Sequence, residues 1–185
     1  ERTTDMTKTN LLLLSGLFSA LTAICSWINI PLFFTPVPIN LALIGPYMAG
    51  SLLGPRYGLL SQIIYIMTGA LGIPVFAGFS GGLGVLAGPT GGFIIGYAVC
   101  AFICGLGAKG KIPAGRPPKI AGSAAFMFIG LSACYSFGLM WYMIVTGASL
   151  WSGLAACVLP FLPGDVLKIA VAAVMSQQIA KAVSL

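Results

Sequence analysis

The chain has 185 residues, of which 58% are hydrophobic and only 6% charged, and its mean hydropathy is +1.03; an ordinary soluble domain is about a quarter charged. That balance excludes a soluble globular domain and points to an integral membrane protein. The net charge of +6 comes from basic residues spread through an apolar chain without histidine, which is not the clustered patch of a nucleic-acid binder.

Residues 1–5 are polar and precede a methionine; 1–7 read as a leader that is in part foreign to the native chain, and 8–185 as a single membrane domain. Six apolar stretches follow, at about 11–30, 39–54, 57–73, 92–107, 120–146 and 163–183. Each approaches the ~20 residues that cross a hydrocarbon core, the second to fourth being short. The first run is long enough to span and lacks a small-residue cleavage site before a polar mature chain, so no cleavable signal is expected.

Lys8, Arg56, Lys109, Lys111, Arg116, Lys119 and Lys181 fall at the ends and alternate loops of this pattern, whereas 31–38, 74–91 and 147–162 carry no charge. The positive-inside rule then makes this a multi-pass protein of the cell membrane with both termini cytoplasmic. The expected fold class is an all-α bundle of six transmembrane helices, with the glycine-rich segment between the third and fourth facing outward.

On the first span Ser15, Gly16, Ser19, Ala20 and Ala23 recur at helical spacing. Lipid gives no hydrophobic drive for helix association, so small residues of this kind let another backbone come close. Packing within the chain and docking of a separate membrane subunit both use such a surface. Trp27, Trp141 and Trp151 lie near the outward ends, as an interfacial belt or, with Phe33, Phe34 and Phe76, as walls of an outward pocket. After the long fifth span, 149–159 suits a short helix at the outer interface, anchored by Trp151.

The segment 72–92 reads GIPVFAGFSGGLGVLAGPTGG. A glycine-rich loop of this length is either disordered or functional. Val75, Phe76, Phe79, Leu83, Val85 and Leu86 argue against a solvated linker, so an ordered cap is expected whose backbone approaches something closely. Gly78, Gly81, Gly82 and Gly84 do not make a phosphate cradle, because no strand precedes them and no basic residue is near.

Past Asp5 the only acid is Asp165, followed three residues later by Lys168, both at the outward start of the sixth span. Asp165 suits a helix start, but a lysine there opposes the helix dipole. Residues three apart share a face, and ionisable groups in a span point to the bundle interior or a wet cavity. The pair is therefore either a structural salt bridge or the polar end of a ligand pocket. Asn40, Gln62, Tyr65 and Tyr135 are further polar candidates, either as hydrogen bonds between helices or, for Tyr135 above all, as a flat wall with one polar handle.

Cys25, Cys100, Cys104, Cys134 and Cys157 all lie in apolar runs, and with no CxxC pair they read as small buried hydrophobes rather than disulfides or metal ligands. Neither HExxH, GxSxG nor a P-loop occurs, so no enzyme activity is expected and any use of ATP must fall to another chain.

The stretch 72–97, GIPVFAGFSGGLGVLAGPTGGFIIGY, followed downstream by PGDVLK at 163–168, resembles the signature of the BioY family, the biotin-specific S components of energy-coupling factor transporters. The resemblance covers nearly the whole chain from Met6. It implies a six-helix subunit that binds biotin from outside, with a transmembrane coupling subunit and two cytoplasmic ATPases as partners and no cofactor. It also implies that the first span docks the coupling subunit through Gly16, Ser19, Ala20 and Ala23. Where the family pattern is AxxxA, this chain has GxxxA at Gly16 to Ala20 and SxxxA at Ser19 to Ala23.

For biotin, Asp165 suits the two ureido N–H groups, and Lys168 either the ureido carbonyl or the carboxylate. The loop backbone at Gly78, Ser80 and Gly82 can offer amides, Phe76 and Tyr135 the apolar contact, and Asn40 a further polar group. The alternatives are a stand-alone carrier or channel for a small organic acid or vitamin, and an assembly subunit of a membrane complex.

Overall fold

The computed structural model describes residues 7–30, 33, 37, 39–108 and 120–183. The leader up to residue 6, most of the first outward loop including Phe34, and Lys109, Lys111, Arg116 and Lys119 lie outside the described residues.

The described chain is helical. Helix α1 (Lys8–Trp27) begins at Thr7, whose hydroxyl caps it by accepting from the Asn10 N–H at 3.3 Å. It is followed by a two-residue antiparallel ladder, β1 (Asn29–Ile30) and β2 (Ile39–Asn40), which sets Asn29 opposite Asn40. The Asn40 carboxamide then turns the chain inward by accepting from the Ala42 N–H at 3.1 Å.

Helix α2 (Ile44–Ala70) is two arms rather than one rod, because Gly54 sits at φ 81 and ψ 179 with Pro55 directly after it. A positive φ is easy only for glycine, and proline removes a helical N–H. A Cβ on Gly58 would lie 2.7 Å from the Gly50 Cα, whereas eight residues along a straight helix separate by ~12 Å. The arms therefore turn back on one another, and the break falls where the sequence places the boundary between its second and third spans.

A folded connection follows, made of a 3-10 turn (Ala77–Phe79) and the one-turn helix α3 (Leu83–Ala87). Helices α4 (Gly91–Gly107), α5 (Ile120–Thr146), α6 (Leu150–Cys157) and α7 (Leu162–Val183) complete the bundle. By length and composition α1 and α5 can each cross a membrane alone; α6 and α7, bent by 52° at their junction, make a third crossing if taken together.

Helices α1 and α4 pack on α2, and α5 packs on α4. The interior between them holds Tyr47, Tyr65, Tyr97, Cys100, Met127, Leu131, Cys134 and Ala172. All five cysteines are buried thiols. Leu13, Leu17, Phe128 and Ile144 project outward, as apolar side chains do where the surroundings are lipid. Between α1 and α2 the contact is polar: Ser15 Oγ donates to the Tyr57 carbonyl at 3.2 Å, Gln62 Nε2 to Thr22 Oγ1 at 3.2 Å, and the Tyr65 hydroxyl to Ser26 Oγ at 3.2 Å. Hydrogen bonds of this kind hold helices together where the hydrophobic effect cannot.

Candidate functional site

The first turn of α7 carries Asp165 to the bundle interior, where it is 2% exposed, and Lys168 follows one turn on at 8%. Lys168 Nζ donates to Asp165 Oδ1 at 2.6 Å. From α5, the Tyr135 hydroxyl donates to the other carboxylate oxygen, Oδ2. Taking two charges out of water is expensive, and pairing them with a third polar group offsets that. A carboxylate has about four acceptor positions and an ammonium three donors, so the triad retains acceptors on Asp165 and two N–H groups on Lys168 for a ligand.

These groups border a small cavity of about 40 Å³ that Asn40, Phe93, Tyr97 and Phe161 also line. A larger cavity of about 200 Å³ lies beside it, walled by Ser26, Tyr65, Phe76, Ser80, Val85 and Ile94. Val37, Asn40, Phe93 and Tyr97 line both. The two spaces adjoin through these shared residues, with an ionic end at α7 and an uncharged end of mixed aromatic, aliphatic and hydroxyl lining beneath the connection from α2 to α4. Their chemistry suits binding: donors and acceptors at one end, mostly apolar walls at the other. Among the described residues no cluster of His, Cys, Asp or Glu is placed to hold a metal ion.

The glycine-rich connection supplies the roof. Phe76 is 1% exposed, and its ring meets Tyr65 edge-on at 5.4 Å. The Phe76 N–H donates to the Ser80 carbonyl at 2.9 Å and the Gly82 N–H to the Gly69 carbonyl at 2.6 Å. Tryptophans tie it from both sides, Trp27 Nε1 donating to the Pro74 carbonyl at 2.8 Å and Trp141 Nε1 to the Gly88 carbonyl at 2.9 Å.

Of the residues singled out in the sequence, Asp165, Lys168, Tyr135, Asn40, Tyr65, Phe76 and Ser80 come together around this site. Gly78 and Gly82 do not line it; at φ 69 and φ 94 they shape the roof instead. Trp27 and Trp141 brace the roof rather than wall the pocket, and Phe33 and Trp151 project outward.

Ser19 and Ala23 face the bundle interior at 7% and 6% exposure, as does Ser15. They are spent on packing within the chain, which leaves Gly16 and Ala20 on the outer side of α1. The sequence reading missed Phe93 and Tyr97. Their i, i+4 spacing puts both on one face of α4, but an aromatic pair on an apolar helix is an ordinary core pattern. Only the neighbouring Asn40 and Asp165 mark it as a lining.

A family model described as "BioY family" matches residues 2–185. A "Probable biotin transporter BioY" from Pyrococcus horikoshii is 39% identical over 90% of this chain and 93% of its own length. A "Biotin transporter BioY" from Thermotoga maritima is 34% identical, covering 92% of this chain and 95% of that one. Among solved structures, the S-component for biotin from an ECF-type ABC transporter superposes with a TM-score of 0.84 at 28% identity, over 97% of this chain and 95% of the other.

Proposed function

The chain belongs to the BioY family, and from that premise and its own cavity we propose that it is the biotin-binding membrane subunit of an ATP-driven energy-coupling factor transporter. The observation that carries this reading is the Asp165, Lys168 and Tyr135 triad at one end of two adjoining cavities that share Phe93 and Tyr97. Biotin has a ureido ring with two N–H donors and one carbonyl, a thin apolar chain and a carboxylate. Acceptors on Asp165 and spare donors on Lys168 match a group that both donates and accepts, while Phe76, Phe93 and Tyr97 suit the apolar length. Leaving any of these buried groups without its partner is costly, and that asymmetry gives selectivity.

The proposed topology is a single domain, 8–185, of six membrane spans, with the two arms of α2 counted separately and α4 as a short span. The uncharged outward segments and the basic residues at the other side support placing both termini in the cytoplasm and the roof outside. Biotin then enters from outside, beneath the roof. Energy for uptake comes from partners: a transmembrane coupling subunit and two cytoplasmic ATPases. On α1 the outward-facing Gly16 and Ala20 are the docking positions that remain open, with Ser19 and Ala23 backing them from within.

Calorimetry on the detergent-solubilised chain tests the ligand. Tight binding of about one biotin per chain is expected. No heat with biotin, while another vitamin saturates the protein, would overturn the assignment. Lys168→Met is expected to cost far more affinity than Lys181→Met at the opposite end of α7.

A further inference from the structure

Phe79 is the one non-glycine residue with positive φ among the described residues, at φ 57, immediately after Gly78 at φ 69. A bulky aromatic residue in the left-handed region is an outlier that persists only where its surroundings hold it. Bulk packing does not hold this one, since Phe79 is 64% exposed. What meets it is Trp27, the last residue of α1, whose ring stacks on Phe79 with centroids 5.1 Å apart at 24°. The same indole donates to the Pro74 carbonyl at 2.8 Å.

The left-handed pair makes the chain reverse so that Phe76, Ala77 and Ser80 face the larger cavity while Phe79 between them turns outward. The Phe76 N–H to Ser80 carbonyl bond closes this arch at its base. Trp27 touches neither cavity, yet it holds the chain at two points, the Phe79 ring within the arch and the Pro74 carbonyl just before it.

We propose that Trp27 and Phe79 form a latch that holds the arch 76–80 closed as the cavity wall, which makes Trp27 a positioning residue for ligand retention and joins the end of α1 to the site. The choice of biotin as probe rests on the function proposed above; the latch itself does not. The competing role for Trp27 is that of an interfacial anchor alone. Trp151 is the control for that role, being 80% exposed and lining neither cavity.

The test uses the full chain in detergent with two readouts: release of radiolabelled biotin after a chase with unlabelled biotin, and hydrogen exchange of the Phe76 and Gly82 amides without biotin. Trp27→Ala is expected to speed both by about tenfold, the size carried by one aromatic stack plus one hydrogen bond. Exchange in α4 stays unchanged, Trp27→Phe falls between, and Trp151→Ala matches wild type. Adding Phe79→Ala to Trp27→Ala is expected to change little, because both remove one contact.

Unchanged exchange at Phe76 in Trp27→Ala, or effects of the two substitutions that simply multiply, would overturn the latch. If wild type binds no biotin the functional reading fails, and the exchange arm still decides the latch. Should Trp27→Ala not fold, Phe79→Gly replaces it: the stack is lost while the left-handed strain is relieved, so any faster exchange comes from the lost stack and not from a distorted backbone. Faster exchange at Phe76 then supports the latch, and unchanged or slower exchange refutes it.

Discussion

At one end of the site Asp165, Lys168 and Tyr135 project from two long helices, α5 and α7, and meet through side-chain hydrogen bonds. At the other end the wall is a backbone arch, whose course depends on positive φ at Gly78, Phe79 and Gly82 and on tryptophan N–H groups that reach loop carbonyls. The ionic end stores its specificity in which atoms are presented. The arch stores it in where the chain is able to run. A change of functional group should therefore disable the first without deforming it, and the addition of a single methyl should deform the second without altering its chemistry.

The largest expected effect comes from splitting the ion pair. Asp165→Asn leaves Lys168 buried without its counter-charge, and removal of one partner of such a pair costs about 3–5 kcal/mol. Thermal stability and biotin affinity should both collapse. The informative variant is the double one, Asp165→Leu with Lys168→Met, since replacing both charges by apolar groups is often neutral or stabilising. If the pair serves binding, the double variant regains stability but not affinity, as melting and calorimetry on one preparation will show. Recovery of both would reduce the pair to a salt bridge that fixes α7.

This contrast also explains what was legible before the fold was known. A lone acid and a lysine three residues apart in an otherwise uncharged span have few structural excuses, so Asp165 and Lys168 stood out on chemistry alone. Residue 135 was a weaker signal, because a tyrosine in a span has many uses until its hydroxyl is seen on Asp165. Helix α5 falls at 120–146 in both readings, since long apolar runs without glycine-proline breaks define themselves.

The division of labour among the glycines was not legible. Gly78 and Gly82 sit at positive φ outside the cavity lining, and a glycine selected for close approach and one selected for positive φ look identical in a sequence. Ser19 and Ala23 carry a related ambiguity: a stripe of small residues does not say which neighbour it admits, and these two face neighbours inside the chain.

Next in size is the third member of the ionic end. Tyr135→Phe removes one hydrogen bond to a charged acceptor, worth about 1.5–3 kcal/mol, and keeps the ring that lines the smaller cavity. That loss should appear in melting, at less than the split pair costs, and biotin affinity should also fall if the hydroxyl orients the carboxylate for ligand. An affinity equal to wild type would mean that the hydroxyl is not used to set the carboxylate for ligand.

The smallest effect belongs to the arch and isolates backbone conformation from crowding. A Cβ on Gly82 or on Gly84 would meet nothing within 4 Å, so neither substitution by alanine suffers a clash. They differ only in conformation: Gly82 sits at φ 94, whereas Gly84 lies within the one-turn helix α3. Gly82→Ala is expected to cost about 1–3 kcal/mol, because φ 94 with ψ 162 lies in a region that essentially only glycine occupies. Gly84→Ala is expected to be neutral or to stabilise by about 0.4–1 kcal/mol through the unfolded chain. Because the Gly82 N–H anchors the arch to the Gly69 carbonyl at 2.6 Å, the loss at Gly82 should show as faster biotin release while the groups at Asp165 remain untouched. Equal behaviour of the two variants in melting and release would mean that the arch relaxes freely about Gly82, and the comparison between a chemically specified end and a conformationally specified one would fail there.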